Sequence, residues 1–147
     1  MDYDALKLKN QLCFPLYAVS KEVTRLYKPF LDPLNLTYTQ YITMMVLWEN
    51  DNINVKTLGE KLYLDSGTLT PLLKKLETQG LVERIRNKDN ERSVNITLTE
   101  RGLALRESAL NVPKQIMGCL KVDPEDAMAL YRILNRILEQ GIDQNAK

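Results

Sequence analysis

The sequence predicts a mainly α-helical fold carrying one small β-hairpin. Three observations predict it. Between Leu64 and Glu77, Leu69, Leu72, Leu73 and Leu76 recur at the i, i+3, i+4, i+7 spacing of a single buried helix face. Two short runs follow, Leu81–Arg86 and Ser93–Leu98, in which apolar and polar residues alternate as in half-buried strands. Helical periodicity then dominates both ends of the chain, over about 11–31 and 99–140.

Taken in order, Leu12, Leu16, Val19, Val23, Leu26 and Phe30 keep helical spacing from Gln11 to Leu31, and Lys28-Pro29 and Asp32-Pro33 break it. Thr37 and Gln40 form a capping box for a second helix, Tyr38 to Glu49, whose Tyr41, Ile42, Met45, Val46 and Trp48 are expected mostly in the core. Asp51-Asn52 turns the chain. Asn54 caps a short helix from Val55 to Leu62, and a tight turn at Tyr63–Asp65 leads into the Leu64–Glu77 segment. There Asp65 or Ser66 caps a helix that begins near Gly67, and Gly80 ends it. The two alternating runs flank a polar tip, Asn87-Lys88-Asp89-Asn90-Glu91-Arg92, and read as a hairpin.

Two helices joined by a tight turn and followed by a charged hairpin make a helix-turn-helix with a wing. The outer face of its second helix carries Thr68, Thr70, Lys74 and Lys75. Small hydroxyls at a helix start, with cations a turn or two later, suit entry into a DNA major groove, the hydroxyls toward bases and the lysines toward phosphates. An ordinary amphipathic surface helix has the same inner face. The hairpin that follows favours the DNA-reading alternative.

Beyond the hairpin, Thr99 caps a long helix that Pro113 and Gly118 should kink. Asp123-Pro124-Glu125-Asp126 opens a last helix that runs to about Gln140 and that Gly141 stops. In that helix Met128, Leu130, Tyr131, Leu134, Ile137 and Leu138 form an apolar stripe wider than a small monomer needs. Together with the N-terminal helix it reads as a dimer interface; the alternative is that both helices cover the domain core.

Composition narrows the function. A chain of 147 residues with 44% hydrophobic content supports one domain with a real core. The net charge of +1 is no nucleic-acid signature, and Lys56–Arg92 carries eight Lys or Arg against six Asp or Glu. DNA affinity must therefore come from the placement of charge and from its doubling in a dimer. No run is long and apolar enough to span a membrane, and Met1-Asp2-Tyr3-Asp4 lacks the pattern of a signal peptide, so a cytoplasmic location is expected. Histidine is absent, which excludes Ser-His and Cys-His nucleophilic sites and imidazole-dependent zinc sites. Cys13 and Cys119 cannot form a thiolate cage, and the six glycines form no phosphate-cradling loop, so no metal or cofactor is expected.

Cys13 stands out by its neighbourhood. Pro15 lacks an N–H, so an unbroken helix must start within a few residues upstream, which puts Cys13 at or near its first turn. There the helix dipole would lower the thiol pKa. The competing geometry is a helix from about Asp4, kinked at Pro15. Tyr17 lies one turn beyond Cys13, and Tyr27 and Tyr38 lie in segments expected to meet the first helix of a partner subunit. A single cysteine with apolar flanks can equally be a buried spectator.

The stretch Asn10-Gln11-Leu12-Cys13-Phe14, with Tyr17, Ser20, Tyr27-Lys28-Pro29 and Leu36-Thr37-Tyr38, resembles the MarR family, specifically its organic hydroperoxide resistance repressors. Leu64–Lys74, Glu91-Arg92-Ser93-Val94 and Leu98-Thr99-Glu100-Arg101-Gly102 resemble the same branch, and the likeness covers nearly the whole chain, weakest after Arg106. The resemblance implies a single MarR-type domain over 1–147. Its helical dimerisation region would be 5–36 and 100–147, with a winged helix-turn-helix at 37–99, a recognition helix at about 66–79 and a wing at about 82–98. It implies a homodimer on a pseudo-palindromic double-stranded operator. Asp65, Ser66, Thr68, Thr70, Lys74 and Lys75 would belong to the groove-reading helix, Arg86 and Lys88 to the wing, and Arg92 would reach the minor groove. Cys13 matches the sensing cysteine, which an organic hydroperoxide oxidises to a sulfenic acid before the operator is released. Tyr17, Tyr27 and Tyr38 match tyrosines around the sulfur, the latter two from the other subunit.

Three positions depart from the branch. Asn90 stands two residues before Arg92 where an Asp is usual, with Asp89 one residue earlier; Pro15 replaces an aliphatic residue; and Cys119 is a second cysteine. Cys119 lies roughly where some members place a resolving cysteine, and its neighbours Met117, Gly118 and Leu120 suit a buried spectator as well. Other classes carry distinct expectations. A thiol peroxidase would need Thr or Ser three residues before its cysteine, where Asn10 stands. A MarR-type regulator of an aromatic ligand would use Tyr17, Tyr27 and Tyr38 as pocket walls, and a thiol-based global virulence regulator shares the Asp65–Lys74 motif.

Overall fold

Side-chain caps start five of the helices, and each sits where the sequence predicts it. The computed structural model describes residues 1–141, in two compact units, Met1–Ile116 and the segment from Met117 onward. In the first, 3-10 turns at Asp4–Leu6 and Leu8–Asn10 precede α1 (Cys13–Leu26) and the short α2 (Lys28–Leu31). Thr37 starts α3 (Tyr38–Glu49): its hydroxyl accepts from the Gln40 N–H at 3.3 Å and its own N–H donates to Gln40 Oε1 at 2.9 Å, the predicted capping box. After β1 (Ile53–Asn54), Asn54 caps α4 (Val55–Leu62), and Asp65 caps α5 (Ser66–Thr78) by accepting from Thr68 N–H at 2.8 Å. Strands β2 (Val82–Asn87) and β3 (Asn90–Leu98) form the wing.

The sheet has the order β1-β3-β2 and is antiparallel throughout, with Ile53 opposite Ile96 and Val82 opposite Leu98. The two-residue β1 went unseen in the sequence, because so short a strand has no measurable alternation. The wing tip is shorter than predicted. Asn87 Oδ1 accepts from the Asp89 N–H at 3.1 Å, which closes the turn at Lys88-Asp89 and places Arg92 on a strand. The register slips between Arg86 and Asn87.

The core forms where α3, α4, α5 and the sheet meet: Met44, Leu47, Leu58, Leu69, Leu73, Leu76 and Ile96 are fully buried. All four leucines of the predicted α5 face are buried. In α3 the buried positions are Gln40, Tyr41, Thr43, Met44 and Leu47, so of the residues expected in the core only Tyr41 is. Met45 is exposed and Ile42, Val46 and Trp48 are half-buried. Apolar residues fall on every side of that helix and polar Gln40 and Thr43 on its buried one, so periodicity cannot choose a face.

Thr99 starts α6 (Glu100–Ala109) with its hydroxyl accepting from the Gly102 N–H at 3.0 Å. The expected long kinked helix is two helices, α6 and α7 (Val112–Cys119). Pro113 cannot donate back to Ala109 and its ring would strike that carbonyl, whereas near a helix start its missing N–H costs nothing. Gly118 falls in the last turn of α7 rather than at a kink. Asp123 caps α8 (Pro124–Arg136), which ends in a π-helical turn through Gly141. No residue of α1 or of α8 is buried.

Gly102 is the tightest point. A Cβ there would lie 2.0 Å from the Leu81 carbonyl oxygen. Gly102→Ala should therefore lower stability by about 1–3 kcal/mol, the usual cost of overpacking, read from urea unfolding. A variant as stable as the parent would mean that the α6–Leu81 contact yields without cost.

Candidate functional site

The turn before α5 decides how its outer face is presented. Tyr63 ends α4 in the left-handed region (φ 54°), with its N–H on the Glu60 carbonyl at 3.4 Å and the Leu64 N–H on the Gly59 carbonyl at 3.0 Å. A Cβ on Gly59 would come within 2.9 Å of the Leu64 carbonyl oxygen, so the close return of the chain needs glycine there. Behind this turn the buried leucines of α5 seat the helix, and Arg84 Nε donates to Glu77 Oε2 at 2.9 Å to tie β2 to the α5 flank. Asp65, Ser66, Thr68, Thr70, Lys74 and Lys75 are all exposed on α5 and its cap, and Arg86, Lys88 and Arg92 are exposed on the wing. Asp65 spends one carboxylate oxygen on its cap. The sequence-predicted DNA residues thus lie on two outward elements braced against each other.

The wing departs from the expected brace in a definite way. Asn90 Oδ1 accepts the main-chain N–H of Arg92 at 3.2 Å, so the residue two before the arginine holds the backbone rather than the guanidinium.

Cys13 is the first residue of α1, exposed, with Leu12 as its cap and no side chain satisfying the helix start. Of the two geometries open to the sequence, the structure has the unbroken helix, with Pro15 in the first turn and the chain upstream in 3-10 turns. Tyr17 is exposed one turn along, with Lys21 Nζ 5.2 Å from its ring centre. Tyr27 and Tyr38 meet each other at a centroid distance of 4.8 Å, at the far end of α1. Tyr41 joins them, 5.8 Å from Tyr27, and Trp48 continues the series 6.5 Å from Tyr41. Sequence reasoning placed Tyr41 only in the core; its spacing of three from Tyr38 on one helix was the signal that could have added it.

Burial raises the pKa of Tyr27 and Tyr41 above the ordinary 10.0, and neighbouring phenols (Tyr38 and Tyr41 for Tyr27, Tyr38 for Tyr41) add to it. Both remain hydrogen-bond donors well into the alkaline range. A cleft of about 510 Å³ lies beside this cluster, lined by Lys21, Arg25, Lys28, Asp32 and Tyr38 among others. Of the three tyrosines expected as walls of a ligand pocket, only Tyr38 lines it. Cys119 is an exposed free thiol at the end of α7.

Comparison with known proteins gives this architecture its family. The model for the transcriptional regulators SarA/Rot matches residues 25–108. The organic hydroperoxide resistance transcriptional regulator of Bacillus subtilis is 53% identical over 137 residues, 93% of each chain. The chain belongs to the MarR family, in the branch of the organic hydroperoxide resistance regulators. Among solved structures of this MarR-family fold, reduced AbfR bound to DNA aligns with a TM-score of 0.78 at 34% identity, covering 95% of this chain and 96% of that one; AbfR is a Staphylococcus epidermidis protein. The structure of MarR itself aligns with a TM-score of 0.71 at 25% identity, over 88% of this chain and 95% of that one. The family architecture is a winged helix, and the relatives compared are transcriptional regulators. Among the described residues no helix is long and apolar enough to cross a membrane.

The tyrosine cluster makes a pH prediction for this MarR-family chain. Unfolded phenols ionise near 10.0 and the folded Tyr27 and Tyr41 above it, so the unfolded state loses protons first. Stability is highest below pH 10 and falls as pH rises through the raised folded values. The urea midpoint should drop above pH 10, and drop less in Tyr27→Phe and Tyr41→Phe. An equal drop in all three proteins would assign the effect to other groups.

Proposed function

We propose that this chain is a homodimeric, DNA-binding transcriptional repressor that acts in the cytoplasm, senses organic hydroperoxides through Cys13, and then releases its operator. The observation that carries the reading is the position of Cys13 relative to the tyrosine cluster. They lie at opposite ends of one helix: Cys13 opens α1 and Tyr27 caps its C-terminal end, where Tyr38 and Tyr41 of α3 meet it, and the 14 residues between give about 21 Å of rise. Tyr27 cannot reach the sulfur of its own chain across that length. Two copies of α1 packed antiparallel would bring each Cys13 to the other chain's Tyr27 and Tyr38. The exposed Phe14, Leu16 and Val19 on α1 and Met128, Leu130 and Ile133 on α8 offer the apolar surface for such a pairing. In this reading 5–36 and 100–141 pair the subunits and 37–99 reads DNA; the remaining residues of the expected 100–147 region, 142–147, lie outside the described residues.

The chemistry is a two-electron oxidation. The Cys13 thiolate attacks the terminal peroxide oxygen, an S–O bond forms as the O–O bond breaks, and an alcohol leaves with a proton from solvent. The resulting sulfenic acid condenses with a second thiol, losing water as the disulfide forms. Cys119 of a partner or a small thiol can supply it. The phenol hydroxyls of Tyr17, Tyr27 and Tyr38 donate to the sulfur before oxidation, and an added oxygen on sulfur displaces them. That changes how the helices pair and, through them, the separation of the two reading heads. Output would run through Asp65, Ser66, Thr68, Thr70, Lys74 and Lys75 in the major groove, with Arg86, Lys88 and Arg92 on the flanking backbone and minor groove. The protein is oxidised stoichiometrically and does not turn peroxide over.

Adding an organic hydroperoxide to the DNA-bound protein should release wild type and leave Cys13→Ser bound. Equal release of both would remove Cys13 as the sensor, and continuous peroxide consumption would make the protein an enzyme. Non-reducing electrophoresis addresses Cys119. With Cys119 as the resolving thiol, the covalent dimer formed on oxidation should vanish in Cys119→Ser; a dimer that persists excludes that role.

A further inference from the structure

The helix-turn-helix contains one residue whose backbone conformation its side chain does not suit. Tyr63 holds φ 54° at the end of α4, in a Schellman arrangement: its N–H bonds Glu60 and the next N–H bonds Gly59. This is the position at which helices commonly carry glycine, because a Cβ in the left-handed region is strained, and most so for a bulky side chain. The other left-handed non-glycine residues, Asn35 and Asn52, are of the type that tolerates it. Packing does not compensate Tyr63, since 66% of it is exposed. Nor does the turn need the ring: the constraint on close return is met by Gly59. An exposed phenol thus occupies a strained position three residues ahead of Ser66, in the turn that leads into α5. Persistent strain of this kind marks function.

We propose that Tyr63 is a DNA-binding residue whose phenolic hydroxyl donates a hydrogen bond to a backbone phosphate at the edge of the groove that α5 enters. This rests on the DNA-binding reading given above. Tyrosine hydroxyls and helix starts are ordinary phosphate partners, and such contacts set register without reading sequence. The exposed start of α5 immediately follows, so one phosphate can be approached by both. A hydroxyl is not a cation, so it adds a hydrogen bond without displacing a counterion.

The test uses a duplex selected from a random-sequence pool by the full-length wild-type protein, with affinity measured over a range of salt. If wild type selects no duplex, the DNA-binding reading itself fails. If it does, Tyr63→Phe should weaken binding about ten-fold with the salt slope unchanged. Lys75→Ala provides the contrast, losing about one unit of slope if it meets a phosphate. Tyr63→Gly should weaken binding to the same extent while melting at a higher temperature than wild type. Stability and affinity then move in opposite directions, which a structural role could not produce. Wild-type affinity in Tyr63→Phe overturns the hydrogen bond, and a Tyr63→Gly variant that melts lower overturns the premise that the ring does not serve the fold.

Discussion

Four elements converge on Gly102, and the architecture depends on how close they come. The missing side chain lets α6 lie against the Leu81 carbonyl. The Gly102 N–H goes to Thr99, whose hydroxyl in turn donates to the Gly80 carbonyl at 2.6 Å, where α5 ends with φ 71°. The Gly102 carbonyl takes the indole N–H of Trp48 on α3 at 2.9 Å. The end of α5, the base of the wing, the start of α6 and the last turn of α3 are therefore fixed relative to one another by short polar contacts in a partly buried setting, where an unpaired donor is costly. Any side chain at residue 102 would push them apart together.

This junction also relates the two regions of interest within the first unit. Trp48 is the far member of an aromatic series that starts at Tyr27 and Tyr38 and passes through buried Tyr41. The tyrosines proposed to face a partner's Cys13 and the helix proposed to face DNA thus lean on a single rigid helix, α3. Rigid contacts of this sort transmit displacement rather than absorb it, because close-packed interiors have little room to relax. The other requirement is a second copy of the chain. In α1 Phe14, Leu16 and Val19 are exposed, and in α8 Met128, Leu130 and Ile133, and contiguous apolar surface of that kind marks an interaction site.

Much of this was legible in the chain. Thr37 with Gln40, Asn54, Asp65, Thr99 and Asp123 each announce a helix start, because a cap is a local bond between residues two or three apart. The leucines of α5 announce their face for the same local reason. The α3 face was not legible, since a helix with apolar residues on every side and Gln40 and Thr43 on its buried face carries no periodic signal, and only its neighbours select Met44 over Met45. The wing tip was misjudged by length, because a side chain of Asn87 rather than any pattern closes it. Pro113 fits a kink or a new helix start equally well in sequence, because the same missing N–H serves either, and the structure has the new start.

The sequence by itself determined the helix starts, the helix-turn-helix with its wing, and the presence of a cysteine beside tyrosines, because each depends on residues a few positions apart. Only the tertiary structure decided that Cys13 opens a straight helix with Tyr27 at the opposite end, that Tyr41 joins the cluster, and that Tyr63 sits in a strained turn. Those are facts of distance and dihedral angle, which residue types and their spacing do not carry: the Tyr41 contact joins two helices, and the Tyr63 dihedral is that of one particular turn. No local pattern encodes them.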